Sequence, residues 1–145
     1  MKVSEIMTPD VHMANPDQTI REAAKTMAEI DAGALPVSEN DRLIGMITDR
    51  DIAVRCVAEG RGLDAKVREV MTQEIKYCFG DQEVEEVAKN MAQQQLRRLP
   101  VIDRSKRLVG IVSLGDIAAG EGPDVSGDAL RGISQPGGLH SQASR

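Results

Sequence analysis

Apolar positions along this chain recur with two different periods, and the periods follow the same order in each half. Ile20, Ala23, Ala24, Met27, Ala28 and Ile30 fall on one side of a helix. Thr19-Ile20-Arg21-Glu22 reads as a capping box, so that helix is predicted to open there and run to about Asp31, with Gly33 available to close it. Leu35-Pro36-Val37 begins a short strand whose proline suits only a strand start or an edge. Glu39-Asn40-Asp41-Arg42 predicts a hairpin turn, and Leu43-Ile44-Gly45-Met46-Ile47-Thr48, apolar almost throughout, predicts a returning strand buried on both faces. A second helix is expected over 50–58. The later half repeats the order: Val84, Val87, Ala88 and Met91 on a helix, Leu99-Pro100-Val101-Ile102 as a strand, a turn over 103–106, a strand over 108–113 and a short helix ending at Gly120. Each half therefore reads as a short N-terminal strand, helix, hairpin and helix, which is α+β organisation.

The repetition is also literal. Lys2-Val3-Ser4-Glu5-Ile6-Met7-Thr8 returns 64 residues later as Lys66-Val67-Arg68-Glu69-Val70-Met71-Thr72. Asp17-Gln18 recurs as Asp81-Gln82 and Leu35-Pro36-Val37 as Leu99-Pro100-Val101, after which one inserted residue aligns Asp51-Ile52-Ala53 with Asp116-Ile117-Ala118. Residues 2–58 form the first repeat, 59–65 a glycine-bearing linker and 66–120 the second repeat. A unit of roughly 60 residues is marginal by itself, so the two repeats are expected to share one core across a pseudo-twofold axis. Residues 121–145 are rich in Gly, Ser and Pro, which predicts a disordered tail.

The formal charge of −5 argues against sequence-independent nucleic-acid binding, and the single Tyr and single Phe supply no base-stacking platform. No apolar run approaches the ~20 residues of a membrane helix, and no charged-then-apolar leader opens the chain, so the expectation is a cytoplasmic protein without membrane contact. Cys56 and Cys78 occupy unmatched repeat positions and read as reduced, partly buried thiols; His12 and His140 lack the companions of a metal site. Catalysis has no support either, since there is no nucleophile with its base, no metal cluster and no Walker loop. Ile52, Ala53, Cys56 and Val57, on a helix too short to bury every face, predict a homodimer.

Candidate chemistry concentrates where the second hairpin strand meets the second helix: Gly45-Met46-Ile47-Thr48-Asp49-Arg50-Asp51 in one half and Gly110-Ile111-Val112-Ser113-Leu114-Gly115-Asp116 in the other. Glycine permits close backbone approach, a hydroxyl stands at a helix entrance, and a carboxylate three residues on can accept the vicinal hydroxyls of a ribose through its two oxygens. The same residue types also serve as ordinary helix caps.

These paired Gly-x-x-(Thr/Ser)-x-x-Asp segments, each preceded by Leu-Pro-Val and by a Met-Thr near the repeat start, resemble a tandem pair of CBS motifs, also called a Bateman module. The resemblance covers about residues 2–120 and implies a repeated β-α-β-β-α unit with clefts that bind adenosine-containing ligands: AMP, ADP, ATP, NAD or S-adenosylmethionine. It implies that Asp51 and Asp116 bind ribose and that Thr48 and Ser113 contact ribose or phosphate. The adenine pockets would then involve Val11, His12, Met13, Leu35 and Pro36, and Ile75, Lys76, Tyr77, Leu99 and Pro100. Arg97 and Arg98 resemble basic phosphate contacts, whereas the first repeat has Gly33 and Ala34 there, with Arg50 as partial compensation. The implied role is a regulatory module that needs no cofactor, takes an adenosine nucleotide as regulatory ligand, and signals occupancy through its homodimer or to a regulated protein. The alternative is a dimerisation scaffold whose clefts stay empty.

Overall fold

The computed structural model describes residues 1–120 and 122–135. It divides into two compact units: a first, His12–Ile75 with Lys106–Leu108, and a second, Met1–Val11, Lys76–Ser105 and Val109 onward. Mixed helix and strand content in both agrees with the α+β class.

In the first unit, helix α1 (Ile20–Ile30) opens at Thr19, whose hydroxyl accepts a hydrogen bond from Glu22 N–H at 3.2 Å. It closes two residues before Gly33, at Asp31, whose φ of 54° and ψ of 49° are left-handed; a short polar side chain tolerates that region better than most. Strands β1 (Ala34–Glu39) and β2 (Arg42–Thr48) pair antiparallel. The two residues between them, Asn40 and Asp41, have φ of 54° and 65°, as a type I′ hairpin turn requires. A single α-turn, α2 (Asp49–Asp51), continues as a wider π-turn over Ile52–Val57, closed by Ala58 N–H to Ala53 C=O at 2.9 Å. Helix α3 (Val67–Val70) follows the linker.

In the second unit, a 3-10 turn at Val3–Glu5 occupies the place of α3. Strands β3 (Cys78–Phe79), β4 (Arg98–Ile102) and β5 (Leu108–Ser113) form a sheet in that order. Helices α4 (Val84–Gln94), α5 (Leu114–Gly120) and α6 (Pro123–Ile133) complete it.

The expected common core is replaced by two clusters, each completed by the opening segment of the other repeat. Val67, Val70 and Met71 are buried with Ala14, Ile20, Leu35 and Ile47, while Val3 is buried with Cys78, Val84, Met91 and Val101. The exchange is pinned at the backbone, because Thr72 bridges Met46 and Thr8 bridges Ile111. A Cβ on Gly45 would stand 2.9 Å from Thr72 O, and one on Gly110 would stand 2.8 Å from Thr8 O. The motif glycines therefore admit the crossing Met-Thr segments, which is a use for the close backbone approach that glycine permits.

Three other expectations change. The short N-terminal strand expected in each half is reduced to a single bridge at Ala14 in one and to two residues, Cys78–Phe79, in the other. Strand β2 is fully buried at Gly45 and Ile47 only, its other face being half-buried. The tail is helical over Pro123–Ile133, with Val125, Ala129 and Ile133 four residues apart, Ala129 2% exposed and Val125 packed against the second core; residues 136–145, including His140, lie outside the described residues. Among the described residues no helix is long and apolar enough to cross a membrane.

Candidate functional site

Each hairpin delivers a hydroxyl and a carboxylate to the start of the following helix, and the two copies are bonded alike. Thr48 N–H donates to Asp51 Oδ2 at 3.0 Å and Asp51 N–H donates to Thr48 Oγ1 at 3.0 Å. In the second unit Ser113 N–H donates to Asp116 Oδ2 at 2.9 Å and Asp116 N–H to Ser113 Oγ at 3.1 Å. These reciprocal boxes satisfy backbone donors that a helix start leaves open. Oδ2 of each carboxylate is thereby engaged by the backbone. All four side chains are half-buried, at once held by the fold and within reach of a ligand.

A second pair of bonds fixes what lies beside each box. Asp49 N–H donates to Gly33 C=O at 2.9 Å and Leu114 N–H donates to Arg97 C=O at 2.9 Å, so Gly33 and Arg97 are structural equivalents. Arg97 and Arg98 are exposed, as is Arg50. The Arg pair thus belongs with the Ser113–Asp116 box, in the same unit. At the first box the Asp49 carboxylate lies against Gly33: a Cβ there would stand 2.9 Å from Asp49 Oδ2, while Oδ1 accepts from Arg50 N–H at 2.8 Å. Sequence reading passed over Asp49; its signal was a carboxylate beside the motif threonine where the other repeat has Leu114.

The residues expected around an adenine divide into buried and exposed ones. Leu35, Pro36, Leu99 and Pro100 are buried, with Leu35 and Leu99 in the two cores. Ala14 N–H donates to Pro36 C=O at 2.8 Å and the Ser38 hydroxyl reaches Met13 Sδ, which brings exposed His12 and Met13 toward β1. Val11 and Ile75 are the residues at which the chain passes from one unit to the other, and Lys76 and Tyr77 are exposed. A shallow depression of about 560 Å³ lies elsewhere, lined by Lys2, Phe79, Glu83 and Glu86 among others. Of the two cations that line it, Arg104 is paired with Asp81 at 2.8 Å and stacked 4.0 Å over Phe79. Among the described residues no group of three or more His, Cys, Asp or Glu side chains is placed to hold a metal.

The family model described as CBS domain matches residues 3–57 and 67–120. The chain is similar to the CBS domain-containing protein YhcV of Bacillus subtilis, 45% identical over 133 residues, covering 91% of this chain and 94% of the relative. Among solved structures it is similar to the CBS domain pair of protein MJ0100 in complex with 5′-methylthioadenosine and S-adenosyl-L-methionine (30% identity, TM-score 0.72, 82% of this chain and 94% of that one). It is also similar to CBSX2 in complex with AMP (25% identity, TM-score 0.73, 83% and 95%). A third similar structure, Hypoxic Response Protein I, holds two coordinated zinc ions (38% identity, TM-score 0.76, 83% and 98%).

Proposed function

Because the chain belongs to the CBS domain family, we propose that it is a regulatory module that binds adenosine-containing ligands at its Thr48–Asp51 and Ser113–Asp116 boxes. One observation carries this reading: the same hydroxyl and carboxylate recur, identically bonded, in two otherwise divergent units, in a chain similar to structures holding AMP, 5′-methylthioadenosine or S-adenosylmethionine. Asp51 Oδ1 and Asp116 Oδ1 would each accept a ribose hydroxyl in a charge-assisted bond, and Thr48 and Ser113 would hold the carboxylates in place. No bond is made or broken in this role. Occupancy would be signalled by differential affinity for two arrangements of the protein, the only means by which a ligand shifts a population.

The module would act as a homodimer, alone or toward a regulated protein. Its pairing face would be the helices of the first unit, where Val54 and Val57 are 46% and 68% exposed. Cys56 leaves the predicted face, being buried with its thiol directed at the Arg61 and Gly62 carbonyls. The competing reading, an unliganded dimerisation scaffold, draws on the boxes being self-sufficient caps.

Calorimetry decides between the two. AMP or 5′-methylthioadenosine is expected to bind, Asp51→Ala and Asp116→Ala each to weaken one site ten- to a hundredfold, since a hydrogen bond to a charged group contributes roughly 1.5–3 kcal/mol, and 2′,3′-dideoxy-AMP to bind correspondingly worse than AMP. Equal binding of the dideoxy analogue removes the ribose role, and no binding by any adenosine compound leaves the scaffold.

A further inference from the structure

The two boxes carry opposite charge at one structurally equivalent point. Gly33 and Arg97 hold the same backbone bond to the residue that follows the motif hydroxyl. In the second unit that point carries the Arg97 side chain, followed by Arg98. In the first it carries no side chain, and the space where a Cβ would begin is taken by the Asp49 carboxylate, 2.9 Å away. Position 49 is itself a reversal, since its counterpart Leu114 is uncharged and packs against the second core. The first box is thus flanked by Asp49, Asp51 and Arg50, an acidic excess, and the second by Asp116, Arg97 and Arg98, a basic one.

We propose, building on the adenosine reading above, that Asp49 is the specificity-determining residue of the first site and makes it select adenosine derivatives whose 5′ substituent is neutral or cationic, such as a thioether or a sulfonium, over 5′-phosphates. Both sites share the ribose carboxylate, so adenosine recognition does not separate them. What separates them is the group at the ribose 5′ position: a phosphate meets two guanidinium groups able to make bidentate contacts at one site and a second carboxylate at the other. Asp49 is exposed, so its repulsion acts through solvent, is worth several-fold in affinity, and weakens as salt screens it.

The test isolates the first site in the full chain by silencing the second with Asp116→Ala, and measures dissociation constants for AMP and 5′-methylthioadenosine by calorimetry, with a melting curve for each variant. In that background 5′-methylthioadenosine is expected to bind about tenfold tighter than AMP at 50 mM salt. Asp49→Asn keeps the Oδ1 acceptor for Arg50 N–H and removes the charge, so it should tighten AMP by about three- to tenfold, leave 5′-methylthioadenosine unchanged, and make the ratio less sensitive to salt. In the reciprocal Asp51→Ala background, Arg98→Ala should weaken ATP more than adenosine. A ratio that Asp49→Asn does not move, with both compounds still binding, overturns the role of Asp49 and leaves the adenosine reading standing. Absence of binding by both compounds in every variant overturns the adenosine reading and this proposal with it.

Discussion

The two units are built from the same repeated sequence, yet one has its helical face covered and the other has it bare. In the second unit α6 lies along α4 and α5: Ala129 is buried, Gly132 sits so close to Ala92 that a Cβ would stand 2.6 Å from its Cβ, and Gln95 Nε2 donates to the Gly132 and Gln135 carbonyls at 3.4 and 3.2 Å. Ala88 and Ile117 there are 3% and 0% exposed. Their first-unit counterparts, Ala24 and Ile52, are exposed and half-buried, and Val57 is open to solvent. A second difference lies nearby. Arg55 caps α3 by donating to the Val70 and Met71 carbonyls at 3.3 and 3.1 Å, whereas its counterpart Gly120 presses directly on Ile6. Duplication supplied two equal frames, and later residues made one self-contained and left the other with an apolar helical face, which is why the first unit is the proposed pairing surface.

The sharpest way to break that contrast is Val57→Glu. A carboxylate buried in the interface without a partner is strongly unfavourable, and a twofold introduces it twice. Dimer affinity measured by sedimentation equilibrium should fall a hundredfold or more, with the monomer's melting temperature unchanged because Val57 lies outside both cores. A protein that is monomeric before the substitution rejects the pairing face.

Gly132→Val attacks the other side of the comparison. The added side chain must displace α6 from Ala92, an overpacking that costs typically 1–3 kcal/mol. Denaturant unfolding should record that loss, while Gly127→Val, at a position with nothing within 4 Å of its Cβ, should remain within about 1 kcal/mol of the parent protein. Equal effects would mean that α6 does not hold the second unit together.

The smallest expected effect concerns Cys78, which aligns with Ala14, both buried beside the first β-strand of the respective hairpins. Burial pushes the Cys78 thiol up from 9.0 to about 12. The folded state therefore keeps its proton where the unfolded chain gives it up, so the stability this thiol contributes is whole below about pH 9 and is lost between pH 9 and pH 12. Unfolding free energy should drop by about 1 kcal/mol between pH 8 and pH 10, and Cys78→Ala, which makes the second unit like the first, should remove that part of the pH dependence.

Much of this was legible locally. Thr19 with Glu22, the Asn40-Asp41 turn, and the helical spacing of Val84, Val87, Ala88 and Met91 act within a few residues, and all three appear where the sequence places them. The paired Thr48–Asp51 and Ser113–Asp116 segments were legible because duplication marked them. Helix α6 could have been found from Pro123 and the four-residue spacing of Val125, Ala129 and Ile133, had the Gly and Ser content not outweighed the period.

What the sequence determined by itself is therefore the repeat, the order of its elements and the residue types at the two boxes, because capping, turn formation and amphipathic period are short-range effects. Tertiary structure alone decided that each Met-Thr segment crosses to the other repeat's hairpin, where Gly45 and Gly110 make room for it. It alone brought Asp49 against Gly33 and set one helical face under α6 and the other in solvent. Those outcomes depend on which of two similarly built partners a segment packs against, a choice made by long-range burial and backbone fit that no local pattern encodes.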